Sequence, residues 1–418
     1  MTNNQNQPQD YDAVLGGQSP PPIDGVVLGG IEGIKRCLSN PVVNVRIAAL
    51  SEALKYGDAG LDVLIQGLQD ESRLVERFAY RLLKPRTESQ VKQALQTYKP
   101  WKLEERLTRY LGCHTTQFAN RQVIEFNANI GIVEPVNQAY AIRCSYDDYE
   151  EDLADKLSKL AQAPNAEKLE ALVLGLWTDT YENNASLIIQ ALVNVKQYFP
   201  NLKAIFLGDI LSEECEISWI QQSDISPILQ AYPQLEILQV RGGEGLQFSP
   251  PIKHDNLKAL IVETGGLSRD TVAQICNLNL PALEHLELWF GCEDYGGTCW
   301  VEDIHPIIFA DKFPNLTYLG LCNSQFSDEI ASAIVSSPIL NSISVLDLSL
   351  GTLSDAGAEE LLNCEAINYL DILNVSDNFL SEEMIEKLSN LDVRVIATDQ
   401  KAEEDDSYIH SRYCSVAE

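Results

Sequence analysis

Leucines recur along the second half of the chain in a fixed frame, clearest as Leu370, Leu373, Val375, Asn378 and Leu380. The frame returns at Ile343, Leu346, Leu348, Gly351 and Leu353, and at Leu316, Leu319, Leu321, Ser324 and Phe326, so that successive copies lie 27 residues apart. Looser copies start at Leu169, Leu202, Leu235, Leu257 and Leu283, at spacings of 22 to 33 residues that bracket the leucine-rich-repeat period. Alternate leucines of each copy point to one side of a strand, and the residues between them to the other. One unit cannot bury its leucine edge alone. The pattern therefore predicts parallel strands stacked through helical returns, each stabilised by its neighbours. The returns carry helix-start chemistry in register: Ser327-Asp328, Ser354-Asp355 and Ser381-Glu382 each set a side-chain oxygen before an amphipathic stretch, a cap worth about 1 kcal/mol.

A different period governs the first hundred residues. Ile31/Ile34/Leu38, Leu61/Leu64/Leu68 and Val91/Ala94/Tyr98 align at 30-residue intervals, with Val45/Ala48/Ala49 and Val75/Phe78/Ala79 between them. Apolar positions three and four apart predict amphipathic helices, and the small Ala49 and Ala79 let paired helices approach closely. This is the pattern of a HEAT-like helical solenoid of about two and a half units. The expected fold is an α/β solenoid: a leucine-rich-repeat horseshoe of parallel strands with helical returns, preceded by an all-α HEAT-like domain. Residues 1–24, polar and then proline-rich, read as a flexible arm, and 25–112 as the HEAT-like repeats. Residues 113–165 hold two strand patterns, VIEF and QAYAIRCSY, and an acidic helix pattern, and read as a small α/β cap hiding the first leucine edge. The leucine-rich repeats occupy 166–398, closed by LDVRVIATD as a last strand, and 399–418 read as an acidic flexible tail.

Charge narrows the partners. The formal net charge of -31 lies almost wholly beyond residue 110, because the first 110 residues hold 14 Lys/Arg against 13 Asp/Glu. A surface that acidic repels nucleic-acid phosphates and anionic membranes, and is compatible with basic protein partners. No apolar run is long enough to cross a bilayer, the first residues lack the pattern of a signal peptide, and the ten cysteines are scattered singly. A cytoplasmic protein with reduced cysteines is expected. Strong catalytic signatures are missing: no phosphate loop ending in Gly-Lys-Ser/Thr, no His-Glu-x-x-His, no Gly-x-Ser-x-Gly and no paired metal cysteines. The glycine-rich VRGGEGL and DYGGTCW lack the helix and lysine of a phosphate cradle. Cys299 with His285 or His305 as base is outweighed by chance proximity among five histidines and ten cysteines. No catalytic residue, cofactor or metal site is expected.

Alternation supplies the better site. If the leucines point inward, Gln239, Arg241, Glu263, His285, Glu287, Trp289 and Tyr318 fall on adjacent strands of the concave face, where aromatic and arginine anchors beside carboxylates form binding hot spots. A solvated face with cross-paired charges is the plainer alternative, but exposed Trp and Tyr favour binding. The long units add loops carrying Trp219, Tyr295 and Trp300 as further contact candidates, or as anchors of those loops on the stack.

VLGGIEGIKRCL, RIAALSEAL and DESRLVERFAYRLL, within residues 12–98, resemble the HEAT-type segment that precedes other domains in large cyanobacterial proteins. That resemblance implies a docking module. Beyond Leu169, the stretches 172–177, 240–243, 286–289, 295–297 and 346–360 resemble one bacterial family of leucine-rich-repeat proteins, which implies the fold. The resulting expectation is a non-catalytic interaction scaffold that binds a protein partner on the concave face and loops of the repeats. The alternatives are an enzyme accessory acting on a partner protein, by analogy with chromophore lyases among cyanobacterial HEAT proteins, and a target-binding sensor.

Overall fold

The computed structural model describes residues 30–98, 101–107, 112–144, 152–177, 183–249, 252–310, 312–402, 404–406 and 409–417. The arm expected at 1–24 lies outside them. The chain divides into two compact units, Met1–Trp101 and Lys102–Glu418.

In the first unit the 30-residue period becomes helices at Gly30–Leu38, Val43–Ala53, Gly57–Gly67, Arg73–Leu83 and Ser89–Thr97. Small residues do set the packing distance. Ala49 and Ala79 are fully buried, and a Cβ added at Gly67 would stand 2.9 Å from both Ala79 Cβ and a Leu50 methyl. Ile34, Leu50, Leu64 and Val75 complete an apolar core of the unit's own.

The second unit is organised on one sheet whose strands run in chain order: β1 (Gln117–Phe118), β2 (Arg121–Glu125), β3 (Gln138–Ile142), β4 (Ala171–Leu174), β5 (Ala204–Leu207), β6 (Ile237–Arg241), β7 (Ala259–Glu263), β8 (His285–Gly291), β9 (Tyr318–Ser324), β10 (Val345–Asp347), β11 (Ile372–Asn374) and β12 (Arg394–Ile396). β1 pairs with β2 antiparallel, and every later pair is parallel. β2 and β3 arise where VIEF and QAYAIRCSY predict strands, and β12 where LDVRVIATD does. Register is exact in the leucine column: Leu172, Ile205, Leu238, Leu260, Leu286, Leu319, Leu346 and Leu373 stand opposite one another from β4 to β11, and all are fully buried. At about 1.5 to 3 kcal/mol per side chain this column is the main stabilising feature of the stack. Helical returns cover its outer side, giving an α/β solenoid of leucine-rich-repeat type. No described helix is long and apolar enough to cross a membrane.

Two of the three expected serine caps form. Ser354 accepts from the Ala356 amide and Ser381 from the Met384 amide. Ser327 instead begins its helix without capping it, donating to the Ser324 carbonyl and accepting from the Thr352 amide. The aspartates that follow tie repeat to repeat: Asp328 accepts from the amide and hydroxyl of Ser354 at 2.8 and 2.7 Å, and Asp355 from the Ser381 amide at 2.9 Å.

A second correction concerns the tail. After a hairpin of β13 (Glu404–Asp406) and β14 (Ile409–Ser411), residues 412–417 do not trail away but are hydrogen-bonded back along the repeats. Ser415 donates to the Leu350 carbonyl at 2.8 Å, and the Val416 amide to the Asn323 side chain at 2.9 Å. The polar, aperiodic sequence hides this because main-chain groups, the Asn323 carboxamide, Lys401 and Arg412, rather than a periodic apolar face, hold the segment.

Candidate functional site

The concave cluster is real, but it is not a free surface. Gln239, Glu263, His285, Glu287, Trp289 and Tyr318 are all buried, and Arg241 is partly so. The expectation of an exposed Trp and Tyr here is therefore corrected. Its physical reason lies in the neighbouring strands, whose concave positions Val173, Phe206 and Ile261 are apolar and fully buried; such a face requires cover. Phe118 supplies part of it, its ring 5.9 Å from that of Phe206.

Arg106 supplies a charged part of it. From the turn Glu104–Leu107 its Nη2 donates to Glu263 Oε1 at 2.7 Å and to Glu287 Oε1 at 2.6 Å, and its Nε to Glu287 Oε2 at 3.0 Å. Arg241 Nε donates to Glu263 Oε2 at 2.9 Å, Gln239 to Glu263 Oε1 at 3.0 Å, and the Trp289 indole N–H to Glu287 Oε1 at 2.8 Å. Two carboxylates and two guanidiniums thus compensate one another inside the protein. His285 stacks on Tyr318 with ring centroids 3.8 Å apart and sets Nε2 3.3 Å from Glu287 Oε2. The Tyr318 hydroxyl donates to Asp347 at 2.6 Å. Arg106 was not among the sequence candidates; two acidic residues on adjacent apolar strands were the signal that a cation had to come from elsewhere.

Burial raises the Glu263 carboxyl, yet Arg241 and Arg106 beside it outweigh burial and hold its pKa below the ordinary value. Burial pushes the His285 imidazole down, against the pull of Glu287. The linkage signs agree. A histidine with a depressed folded pKa binds fewer protons folded than unfolded, so stability falls as pH drops below the ordinary imidazole value of 6.5. A carboxylate with a depressed folded pKa contributes stability above its ordinary value of 4.5 and loses it as pH falls through the folded value. The urea midpoint of the second unit is expected to decline in two stages on acidification, and His285→Gln to remove the stage that begins near the imidazole value. Identical pH profiles for the variant and the unaltered chain would contradict the neutral, buried imidazole.

The loop candidates behave differently. Trp219 and Trp300 are 58% and 45% exposed, and Tyr295 is half-buried. Trp219 ends the turn Ile217–Trp219 and Trp300 leans on Phe326 at 5.8 Å. Between these loops lies a cleft of about 240 Å³ whose lining includes Ser218, Gly243, Gly245, Gly266, Tyr295 and Gly296. VRGGEGL and DYGGTCW, remote in sequence, thus line one cleft. Its charged lining residues are the carboxylates Glu244 and Asp270, with no lysine or arginine, which is the wrong sign for phosphate. The Ser218 hydroxyl is buried without a partner. Cys299 is buried, donates to the Trp300 carbonyl, and has its thiol pKa pushed up to about 12 by burial, far from nucleophilic poise. Among the described residues no group of three or more His, Cys, Asp or Glu is placed to hold a metal ion.

The chain matches no protein-family model and no curated protein. Among solved structures, an internalin from Listeria monocytogenes aligns at 16% identity over 62% of this chain and 67% of its own, TM-score 0.31. The TLR13–ssRNA13 complex aligns at 14% identity over 65% of this chain and 38% of its own, TM-score 0.29. Both are too distant to carry an argument. A Bacteroides fragilis protein of known crystal structure aligns at 34% identity over 63% of this chain and 74% of its own, TM-score 0.59, and this chain belongs to the same family as that protein.

Proposed function

We propose that the chain is a non-catalytic, cytoplasmic protein-interaction scaffold that engages a basic, extended protein segment at the loop face of its leucine-rich repeats. The observation that carries this reading is the pair of exposed tryptophans, Trp219 and Trp300, on the loops around a cleft lined by backbone, Tyr295, Glu244 and Asp270. Aromatic side chains beside uncompensated carboxylates suit an Arg- or Lys-bearing peptide, whose stems pack on indole while the charge meets carboxylate. Gln239, Arg241, Glu263, His285, Glu287, Trp289 and Tyr318 serve this reading as the rigid floor under the loops rather than as contacts. In the same proposal the first unit is a docking module of the HEAT type resembling that of cyanobacterial proteins. An enzyme-accessory role is less well supported, since the thiol it would use, Cys299, is buried and poorly ionised.

The double variant Trp219→Ala/Trp300→Ala tests the site. Trp219 is 58% exposed and Trp300 45% with its ring on Phe326, so the thermal midpoint is expected to fall by only a few degrees, whereas a partner that co-purifies with the unaltered chain from its native host is lost. Binding of that partner is expected to weaken steeply with added salt. Equal recovery by the folded double variant removes the tryptophans from the interface, and salt-insensitive binding removes the basic partner.

A further inference from the structure

The segment 412–417 occupies a groove that runs over the carboxyl ends of β7 to β11. Three residues at one register of consecutive repeats, Asn323, Leu350 and Asp377, have left-handed backbone, with φ of 50°, 68° and 53°. For leucine this conformation is unfavourable by about 1 to 2 kcal/mol. All three amides keep the ladder going, donating to the Ser349, Ser376 and Thr398 carbonyls. The left-handed turn points other groups at the segment. The Leu350 carbonyl accepts from the Ser415 amide at 2.8 Å and the Asp377 carbonyl from the Ser415 hydroxyl at 3.4 Å. Asn323 goes further: its Oδ1 accepts from the Val416 amide at 2.9 Å while its Nδ2 donates to the Val416 carbonyl. One buried carboxamide therefore reads both main-chain groups of a single residue, which is recognition of extended backbone irrespective of side chain.

Side-chain selection comes from the rest of the groove. Cys414 is buried, its thiol donating to the Gly291 carbonyl at 3.4 Å, so that position takes a small residue. Ala417 crosses Gly265, where an added Cβ would lie 2.3 Å from the Ala417 carbonyl oxygen. At the other end Arg412 donates to Asp328 at 2.9 Å and to the Thr352 carbonyl at 2.6 Å. The Lys401 ammonium clasps the segment from outside, donating to the Tyr413 carbonyl at 2.7 Å and the Ser415 hydroxyl at 3.0 Å, and anchoring on the Gly351 carbonyl at 2.9 Å.

We propose that this groove is a binding site for an extended peptide segment of the form basic–aromatic–small–Ser–Val–small, that residues 412–417 fill it in cis, and that a partner's segment of that form takes it when the tail is withdrawn. The charge fits a basic residue at the first position, where Asp328 waits, and the backbone pairing at Asn323 fits any chain that can extend there. The proposal is independent of the tryptophan site.

Deletion of residues 412–418 from the otherwise complete chain exposes the groove. A fluorescent peptide with the sequence of residues 412–417 is expected to bind the deleted chain at least about tenfold more tightly than the intact chain, from the two Asn323 bonds and the Arg412 pair alone. Adding Asn323→Gly to the deletion is expected to abolish that gain; glycine suits the left-handed backbone, so the loss is confined to the carboxamide, including its own bond to the Thr264 carbonyl at 3.2 Å. No binding, or equal binding to intact and deleted chains, overturns the proposal, as does a tail-exchanged dimer of the intact chain in light scattering. Gly265→Ala in the intact chain covers a deletion that does not fold. It is expected to evict the tail's end and raise the labelling rate of the buried Cys414 thiol, read site by site by mass spectrometry, by about tenfold or more. An unchanged Cys414 rate overturns occupancy in cis.

Discussion

Arg106→Met is expected to lower the stability of the second unit by about 3 to 5 kcal/mol at neutral pH. The size follows from what remains. Methionine fills much of the volume but takes from Glu263 and Glu287 the guanidinium that both share, leaving Glu263, among the described residues, with Arg241 and Gln239. A carboxylate so enclosed cannot keep its charge cheaply; desolvation then drives its pKa up instead of down. The pH dependence consequently reverses relative to the carboxylates of the unaltered chain. A raised folded pKa means a penalty that is largest above that pKa and is relieved as pH falls through it, so the gap between Arg106→Met and the unaltered chain is expected to narrow on acidification. Glu287→Gln in the same background is expected to recover part of the loss, because one of the two buried charges that Arg106 serves is gone while the amide keeps its hydrogen-bond partners. Urea denaturation of the single and double variants at neutral and mildly acidic pH measures all three quantities. A loss under about 1 kcal/mol, or a gap constant with pH, would falsify the view that Arg106 neutralises the concave face.

The same residue shows where sequence reasoning stopped. The leucine column was legible because strand side chains have period two, and one register satisfies every strand from Leu172 to Leu373. The residues between the leucines share one face of the sheet, where the structure brings Gln239, Arg241, Glu263, His285, Glu287, Trp289 and Tyr318 together. What covers them was not legible, because Arg106 stands 181 positions before Glu287 and no periodicity connects them. The apolar Val173, Phe206 and Ile261 of that face carried the warning. Ser327 shows a subtler limit. It occupies the frame position of Ser354 and Ser381, yet with Phe326 as the residue before its helix its hydroxyl turns to the Ser324 carbonyl and the Thr352 amide. The tail was missed for a related reason: bonds made by main chain, by Asn323 and by Lys401 leave no apolar pattern to read. Trp219 and Trp300 stand out in the sequence because they belong to the longest units, where extra residues have no strand or return to build.

Asn378→Ala carries the second large effect, about 3 kcal/mol or more. In the repeat that best matches the frame, Asn378 is fully buried. Its Nδ2 donates to the carbonyls of Leu348, Val375 and Ser376 at 2.9, 3.1 and 3.0 Å, and its Oδ1 accepts from the Leu353 amide at 2.9 Å. The side chain thus closes the turn after β11 and joins it to the preceding repeat, a task that Gly351 at the same frame position leaves to its neighbour. Alanine strands the Leu353 amide out of reach of water and takes a donor from the Leu348, Val375 and Ser376 carbonyls, of which Val375 keeps Gln400 and Ser376 keeps the Leu350 amide; it also removes contacts from Gly351, whose added Cβ would lie 3.3 Å from Asn378 Oδ1. In a stack stabilised by neighbour interfaces the damage stays local. Amide exchange is expected to accelerate in β10 to β12, and in the tail that rests on Asp377, while β4 to β7 keep their protection. Asn378→Asp separates hydrogen bonding from packing. It is isosteric and retains an acceptor for Leu353, but it faces the three carbonyls with oxygen instead of a donor. It is expected to be at least as destabilising as alanine at neutral pH. A near-neutral aspartate would mean that the asparagine acts through its volume, and the reading of Asn378 as the tie between repeats would fall.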